Sequence, residues 1–281
     1  MTISLGTNAY GKNAVNLSKI IRNGDIHDIK QISVNVALKG DFDTAHTLGD
    51  NSKILPTDTM KNTVYILAKE YFTDSIEAFG MHLANHFFTN NEQVEEVKIE
   101  LTEYLWQRMV FGGNPHPHSF VNGGSEKHTA TIVQNANSVM VTSGIKDLLV
   151  LKTTKSGFEG YIKDAFTTLP ETKDRIFSTQ CEATWLHTSN NIDFTQSYAA
   201  TRETLLKVFS EHDSLSVQQT LYAMGEAVLQ QDDSIVEISL IMPNKHHIPF
   251  NLQPFGLENK NEIFIATDEP FGYITGTVVR G

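Results

Sequence analysis

The chain has 281 residues, a formal net charge of −11 from 22 basic and 33 acidic side chains, and a single cysteine, Cys181. That length suits two domains of about 140 residues. One cysteine excludes an intramolecular disulfide and a cysteine-rich zinc site, and it reads as a small buried hydrophobe. The acidic balance and the absence of any Lys/Arg run argue against a nucleic-acid partner, and no window of 18 uncharged apolar residues predicts a membrane span. Residues 1–12 lack the pattern of a signal peptide, and the chain ends Val278-Val279-Arg280-Gly281 without a targeting tripeptide, so a cytoplasmic location is expected.

In chain order, Tyr10-Gly11-Lys12 precedes Val15, Leu17 and Ile20. This places Lys12 where a glycine hinge runs into a strand and a partly buried amine can serve as a base; a solvated lysine is the ordinary alternative. Ile32, Val34, Val36 and Leu38 alternate with Ser33, Asn35, Ala37 and Lys39, the period-two pattern of a strand with one face on a core. The segment from Pro56 to Thr63 crowds hydroxyls, Asp58 and Lys61 ahead of the apolar run Val64-Tyr65-Ile66-Leu67-Ala68. Pro56 fixes φ and biases Leu55 towards extended backbone, so Asp58 or Thr59 is expected to open a helix whose polar residues cap free N–H groups. The other reading is a threonine held there to pass on a proton.

Asp74 with Glu77 reads as a capping pair for a helix carrying Ile76, Phe79, Leu83 and Phe87 and ending near Phe88. Val97, Ile99 and Leu101 mark a strand, and the Gly/Pro/Asn-rich stretch from Gly112 to Gly124 predicts a long turn before a strand near Thr129 to Val133. In the second half, residues 148–151 and 176–185 read as strands, 195–210 and 216–230 as helices, and Val236, Ile238 and Leu240 as another alternating strand. Leu55-Pro56 and Leu169-Pro170 sit at comparable points of the two halves, which suggests a duplication. The pattern predicts an α+β chain of two like domains, 1–138 and 139–281, each an antiparallel sheet with helices on one face. Exposed sheet edges invite oligomerisation.

Further polar clusters carry candidate chemistry. Arg175 ends the run from Thr167, and its planar fork suits an anion with two acceptors, although a salt bridge to Asp174 or Glu171 is the ordinary reading. Phe158, seventeen residues earlier, offers a flat face or packs in the core. Ser216 and Gln219 match a capping box, so Gln218 lies in a first helical turn where the dipole and free N–H groups favour an anion. Asn244 and His246 lie two apart after a strand and can share one pocket. His116-Pro117-His118 has a spacing that can ligate zinc, but no HExxH, CxxC or third ligand accompanies it.

Together these segments resemble the urate oxidase (uricase) family. Tyr10-Gly11-Lys12, Gly49-Asp50-Asn51-Ser52 through Thr57-Asp58 to Thr63, His116-Pro117-His118-Ser119-Phe120, Lys152-Thr153-Thr154 with Phe158, Thr167-Thr168-Leu169 with Arg175, Ser216-Val217-Gln218 with Tyr222, and Pro243-Asn244-Lys245-His246 follow the family's order over nearly the whole chain. The resemblance implies two tandem tunnelling-fold (T-fold) domains, a homotetramer with active sites at subunit interfaces, and cofactor-free oxidation of urate by O2 to 5-hydroxyisourate and H2O2. It implies that Arg175 and Gln218 grip urate in its plane, that Phe158 stacks on the purine, and that Leu169 and Val217 line the pocket. Lys12 and Thr57 match a proton-relay pair reaching the substrate from a neighbouring subunit, with Asp58 supplying contacts there. Asn244 matches the residue holding dioxygen or water over the ring, and His246 the partner that orients the lysine. No metal or organic cofactor is implied.

Two departures stand out: Pro56 replaces the small residue expected before the threonine, and the peroxisomal tripeptide of eukaryotic members is missing, pointing to a bacterial type. Two alternatives share the scaffold, a zinc-dependent enzyme acting on a pterin and a purine-binding protein without activity.

Overall fold

The alternation from Ile32 to Leu38 buries all four apolar side chains completely, while their neighbours are less buried. They lie in the second strand of a chain that the computed structural model describes over residues 2–281. The elements are β1 (Tyr10–Asn23), β2 (Ile26–Gly40), α1 (Asp43–Thr47), α2 (Thr57–Tyr71), α3 (Ile76–Thr89), β3 (Val94–Phe111), β4 (Asn114–Asn135), β5 (Val139–Lys152), β6 (Phe177–His187), α4 (Phe194–Glu211), α5 (Val217–Gln231), β7 (Ile235–Pro249), a 3-10 turn Gln253–Phe255, and β8 (Phe264–Val279). The strands hydrogen-bond to their sequence neighbours in the order β1 to β8. The class is α+β with an antiparallel sheet, as the pattern predicts.

The chain divides into two compact units, residues 1–144 with 186–198, and 145–185 with 199–281. In the first, α2 and α3 pack against the sheet over a core that includes Phe42, Met60, Phe72, Phe79 and Ile99. In the second, α5 packs against β7 and β8; Leu221, Met224 and Val228 of the helix and Ile238, Leu240 and Met242 of β7 are all buried. Each unit lets a helix approach its sheet closely through a glycine. A Cβ on Gly80 would meet Ile132 Cδ1 at 2.3 Å, and one on Gly225 would meet Val278 Cγ2 at 2.6 Å and Ile238 Cγ2 at 3.3 Å.

Gly225→Ala therefore pits a helix-propensity gain of about 1 kcal/mol against overpacking of about 1–3 kcal/mol. The melting temperature is expected to fall by several degrees, at about 2–4 °C per kcal/mol. A rise would show that α5 and β8 part freely.

Three local expectations are corrected. The helix after Pro56 begins at Thr57, with Pro56 itself as N-cap and no side-chain cap. Asp58 bonds Lys61 and Asn62 instead of backbone N–H groups. The α3 cap is Ser75, whose Oγ accepts from Ala78 N at 3.1 Å, so Asp74 and Glu77 are not a capping pair. The 112–124 stretch is largely strand: Gly112 (φ 57°) and Gly113 (φ 81°) turn the chain, and β4 starts at Asn114. Two left-handed glycines close a hairpin in a space the composition suggested was a long loop. By contrast, Ser216 caps α5 as expected, accepting from Gln219 N, although Gln219 Oε1 reaches Leu215 N and not its own cap.

Candidate functional site

The connection from β5 to β6, residues 153–176, has little regular structure, so its backbone polar groups need other partners. They find them in short backbone bridges. Phe158 N donates to Thr172 O at 2.7 Å and Thr172 N returns to Phe158 O at 3.2 Å; Arg175 N donates to Ser156 O at 2.7 Å. Gly157 N donates to Ser214 O at 2.8 Å and Ser214 N to Lys155 O at 2.9 Å, which ties the same segment to the residues just ahead of α5. Phe158 and Arg175 are thereby fixed near one another, with the Arg175 guanidinium 5.3 Å from the Phe158 ring centroid.

These two side chains, with Leu169 from the same connection and Asn244 and His246 from β7, line a cavity of about 420 Å³, within the size range of small-molecule sites. Val217 and Gln218 occupy the first turn of α5, one buried and one exposed, and are not among the residues lining it. Asn244 and His246 sit within β7 and not after it, flanking a register irregularity at which their β8 partners jump from Gly272 to Thr267. The carboxylates that could have neutralised Arg175 are engaged elsewhere. Asp174 accepts from Thr154 Oγ1 at 3.1 and 3.0 Å, and Glu171 pairs with Lys163 at 3.2 Å. Among the described residues Arg175 makes no ion pair, although burial holds its pKa below the ordinary value. Burial, then the charge of Arg175, lowers the His246 pKa, which favours the neutral imidazole. The cavity thus offers one uncompensated cation, an aromatic face, a neutral imidazole and an amide, a set suited to a planar anion.

A second cavity of similar volume in the same unit is lined by Glu182, Asp268 and Glu269 with Lys245, and Lys245 is already paired with Asp268 at 2.8 Å. It offers no free cation.

Lys12, Thr57 and Asp58 belong to the first unit. Lys12 pairs with Val36 and Val15 with Val34, so β1 carries one extra residue between them, and Ala14 there has φ 54°. Directly paired residues share a face, and Val34 and Val36 both face the core. The bulge therefore sends Lys12 to the helix-bearing face, where strict alternation from Val15 would have sent it to the other. Tyr10, on that same face, accepts a hydrogen bond from Leu55 N at 2.9 Å and fixes the loop that leads to Thr57. Asp58 is held below its ordinary pKa by its hydrogen bond to Lys61, with the charge of Lys12 contributing.

A buried polar cluster in this unit has no local signal in the sequence. Glu77 of α3, wholly buried, accepts from His128 Nε2 at 2.7 Å and from Ser143 Oγ at 2.6 Å. That commits the hydroxyl proton, so His187 Nε2, 2.9 Å from Ser143 Oγ, is the donor of their bond. Glu103 Oε2 lies 3.5 Å from the other His128 nitrogen, and Tyr198 stacks on the imidazole at 3.8 Å. Burial alone would lower the His128 pKa, but hydrogen bonds to Glu103 and Glu77 and their charges hold it up to about 9. His116 and His118 meet edge to face at 4.6 Å, and among the described residues no three His, Cys, Asp or Glu side chains are grouped to hold a metal ion.

The uricase family profile matches residues 8–133 and 141–275. The chain is 42% identical over 278 residues to the uricase of Arthrobacter globiformis, covering 99% of this chain and 90% of that protein. It is 40% identical to the uricase of Oryctolagus cuniculus, covering 96% and 93%. The crystal structure of the Arthrobacter globiformis uricase matches with a TM-score of 0.96 at 41% identity, over 100% of this chain and 96% of that one. With similarity of this extent in both sequence and fold, the chain belongs to the uricase family.

Proposed function

We propose that the chain is a urate oxidase that converts urate, O2 and water to 5-hydroxyisourate and H2O2. The observation that carries this reading is the unpaired Arg175 guanidinium beside Phe158 in a cavity of small-molecule size. Urate is a planar, electron-rich anion. Arg175 and Gln218 bind its polar edge, Phe158 supports its face, and Leu169 and Val217 enclose it. Removal of a second proton makes the ring electron-rich enough to pass two electrons directly to O2, provided the site stabilises the dianion and keeps bulk water out. In this reading no metal or organic cofactor takes part. A threonine hydroxyl does not ionise near neutral pH and cannot act as a base by itself, so Thr57 passes the proton on to the amine of Lys12, which His246 orients. Asp58 supplies contacts beside Thr57, and Asn244 holds dioxygen or the attacking water over the ring.

The relay residues come from a neighbouring copy, in a homotetramer of chains each built from two tandem T-fold domains, 1–138 and 139–281, working in the cytoplasm. Exposed apolar side chains on β3 and β4, among them Trp106, Val110, Phe111 and Val121, are consistent with self-association. The experiment is to follow urate absorbance together with oxygen uptake on metal-stripped protein. Both should fall together with H2O2 appearing; if urate and oxygen stay constant, the reading is wrong.

A further inference from the structure

Phe158 and Leu169 both line the Arg175 cavity, and one side chain that does not line it touches both. The Tyr161 ring stacks on Phe158 with centroids 4.8 Å apart and planes 14° from parallel, and its hydroxyl donates to the Leu169 carbonyl. Because Phe158 faces the cavity and Tyr161 is absent from its walls, Tyr161 covers the Phe158 face turned away from the cavity. The turn that carries Tyr161 is itself fastened. Gly160 N donates to Glu171 Oε1 at 3.2 Å, Lys163 pairs with the same carboxylate oxygen at 3.2 Å, and the Lys163 ammonium lies 5.6 Å from the Tyr161 ring centroid. Residues 160–163 are therefore held against 169–171 at both ends of the strap.

The backbone bridge to Thr172 fixes the Phe158 main chain, but it leaves the ring free to rotate about χ1 and χ2. A stacking platform for a planar ligand is effective only if its ring is already oriented, since ordering it on binding costs affinity. We propose that Tyr161 is a positioning residue that presents the open face of Phe158 to the planar substrate and sets the distance from that face to the Leu169 wall. This inference rests on the urate oxidase reading. Tyr161 acts through Phe158 and does not touch the substrate.

The test compares Tyr161→Phe, Tyr161→Leu and Phe158→Ala with the unmodified protein, measuring steady-state kinetics in air and urate binding under anaerobic conditions. Tyr161→Leu keeps apolar volume but lacks a flat face; it is expected to weaken anaerobic urate binding and raise KM about tenfold with kcat within a factor of about two, the range of an aromatic pair. Tyr161→Phe keeps the face and loses only the bond to Leu169, so a change of about threefold or less is expected. In the Phe158→Ala background, Tyr161→Leu should add no further loss, because there is no ring left to position. Additive losses in the double variant, or a Tyr161→Leu protein with wild-type KM, overturn the proposal. So does equal impairment by the Leu and Phe variants. If Tyr161→Leu does not fold, the Phe variant in both backgrounds decides: its small loss should vanish when Phe158 is absent. Failure of the urate oxidase reading looks different, since the unmodified protein would then not consume urate at all, whether or not it binds it.

Discussion

Replacing Arg175 with alanine is expected to raise the KM for urate about a hundredfold or more, while replacing Lys12 with methionine lowers kcat by about 10²–10⁴-fold and leaves KM near its starting value. The asymmetry follows from what each side chain can do. The Arg175 guanidinium has no carboxylate partner among the described residues and projects into the cavity beside Phe158, so its bonds are available to a substrate anion. Each charge-assisted hydrogen bond contributes about 1.5–3 kcal/mol, and losing a bidentate pair is enough for the stated effect. Its removal strands no buried carboxylate, since Asp174 and Glu171 are bonded to Thr154 and Lys163. Thermal stability should accordingly change little, and the His246 pKa should rise as the nearby cation disappears. In the proposed mechanism Lys12 takes part in proton transfer, which affects the barrier more than the bound complex. Steady-state kinetics and anaerobic urate titration of both variants check the assignment. Equal loss of binding in the two would contradict it.

The second large effect concerns stability. His128→Ala is expected to cost about 3–5 kcal/mol, because it leaves the Glu77 carboxylate buried without its cation. At about 2–4 °C per kcal/mol the melting temperature should drop by roughly 10 °C. The pH dependence has a definite direction. The folded-state pKa of His128 is raised from 6.5 to about 9, so its contribution is complete below pH 6.5 and is lost as pH rises through 9. For Glu77, burial alone would raise the pKa, but the His128 hydrogen bond and charge with the Ser143 bond bring it below 4.5. Its contribution is present above pH 4.5 and is lost as pH falls through that lowered value. The groups around the imidazole are Glu77 of α3, Glu103 of β3, Ser143 of β5 with His187 of β6 behind it, and the Tyr198 ring of α4. Melting temperature from pH 6 to 10 should fall through pH 9 in the unmodified protein and run flatter in His128→Gln, which keeps a donor to Glu77 without a titrating charge. Parallel curves would remove His128 as the cause.

Where one face of an element meets the core, the sequence was a sufficient guide. Ile32 to Leu38 announced β2, and Ser216 announced the start of α5, because burial with period two and capping by a hydroxyl are both local effects. The same local reading failed at Glu77. A glutamate near a helix start is ordinarily a surface residue, and its actual partner, His128, lies 51 residues away. It failed again at Gly112 to Gly124, where a glycine-rich composition hides a two-residue turn and a 22-residue strand. Arg175, Phe158, Leu169, Asn244 and His246 were legible as candidates, and the fold brings those five to one cavity. Tyr161 was not, since nothing in its neighbours Gly160 and Ile162 signals that it backs another ring.

The extra residue in β1 between Lys12 and Val15 has an evolutionary implication. At the present chain length Lys12 and Tyr10 reach the helix-bearing face only because one residue is bulged out; regular pairing of the same residues would turn both to the opposite side. Deleting Ala14 would instead remove the bulge and leave Lys12 two positions from Val15, still opposite Val36 and on the same face. A change of one residue in the length of this segment therefore preserves the placement of Lys12 only when the bulge is gained or lost with it. A relative aligned here with a one-residue gap at the bulge would still present its matching residue on the same surface.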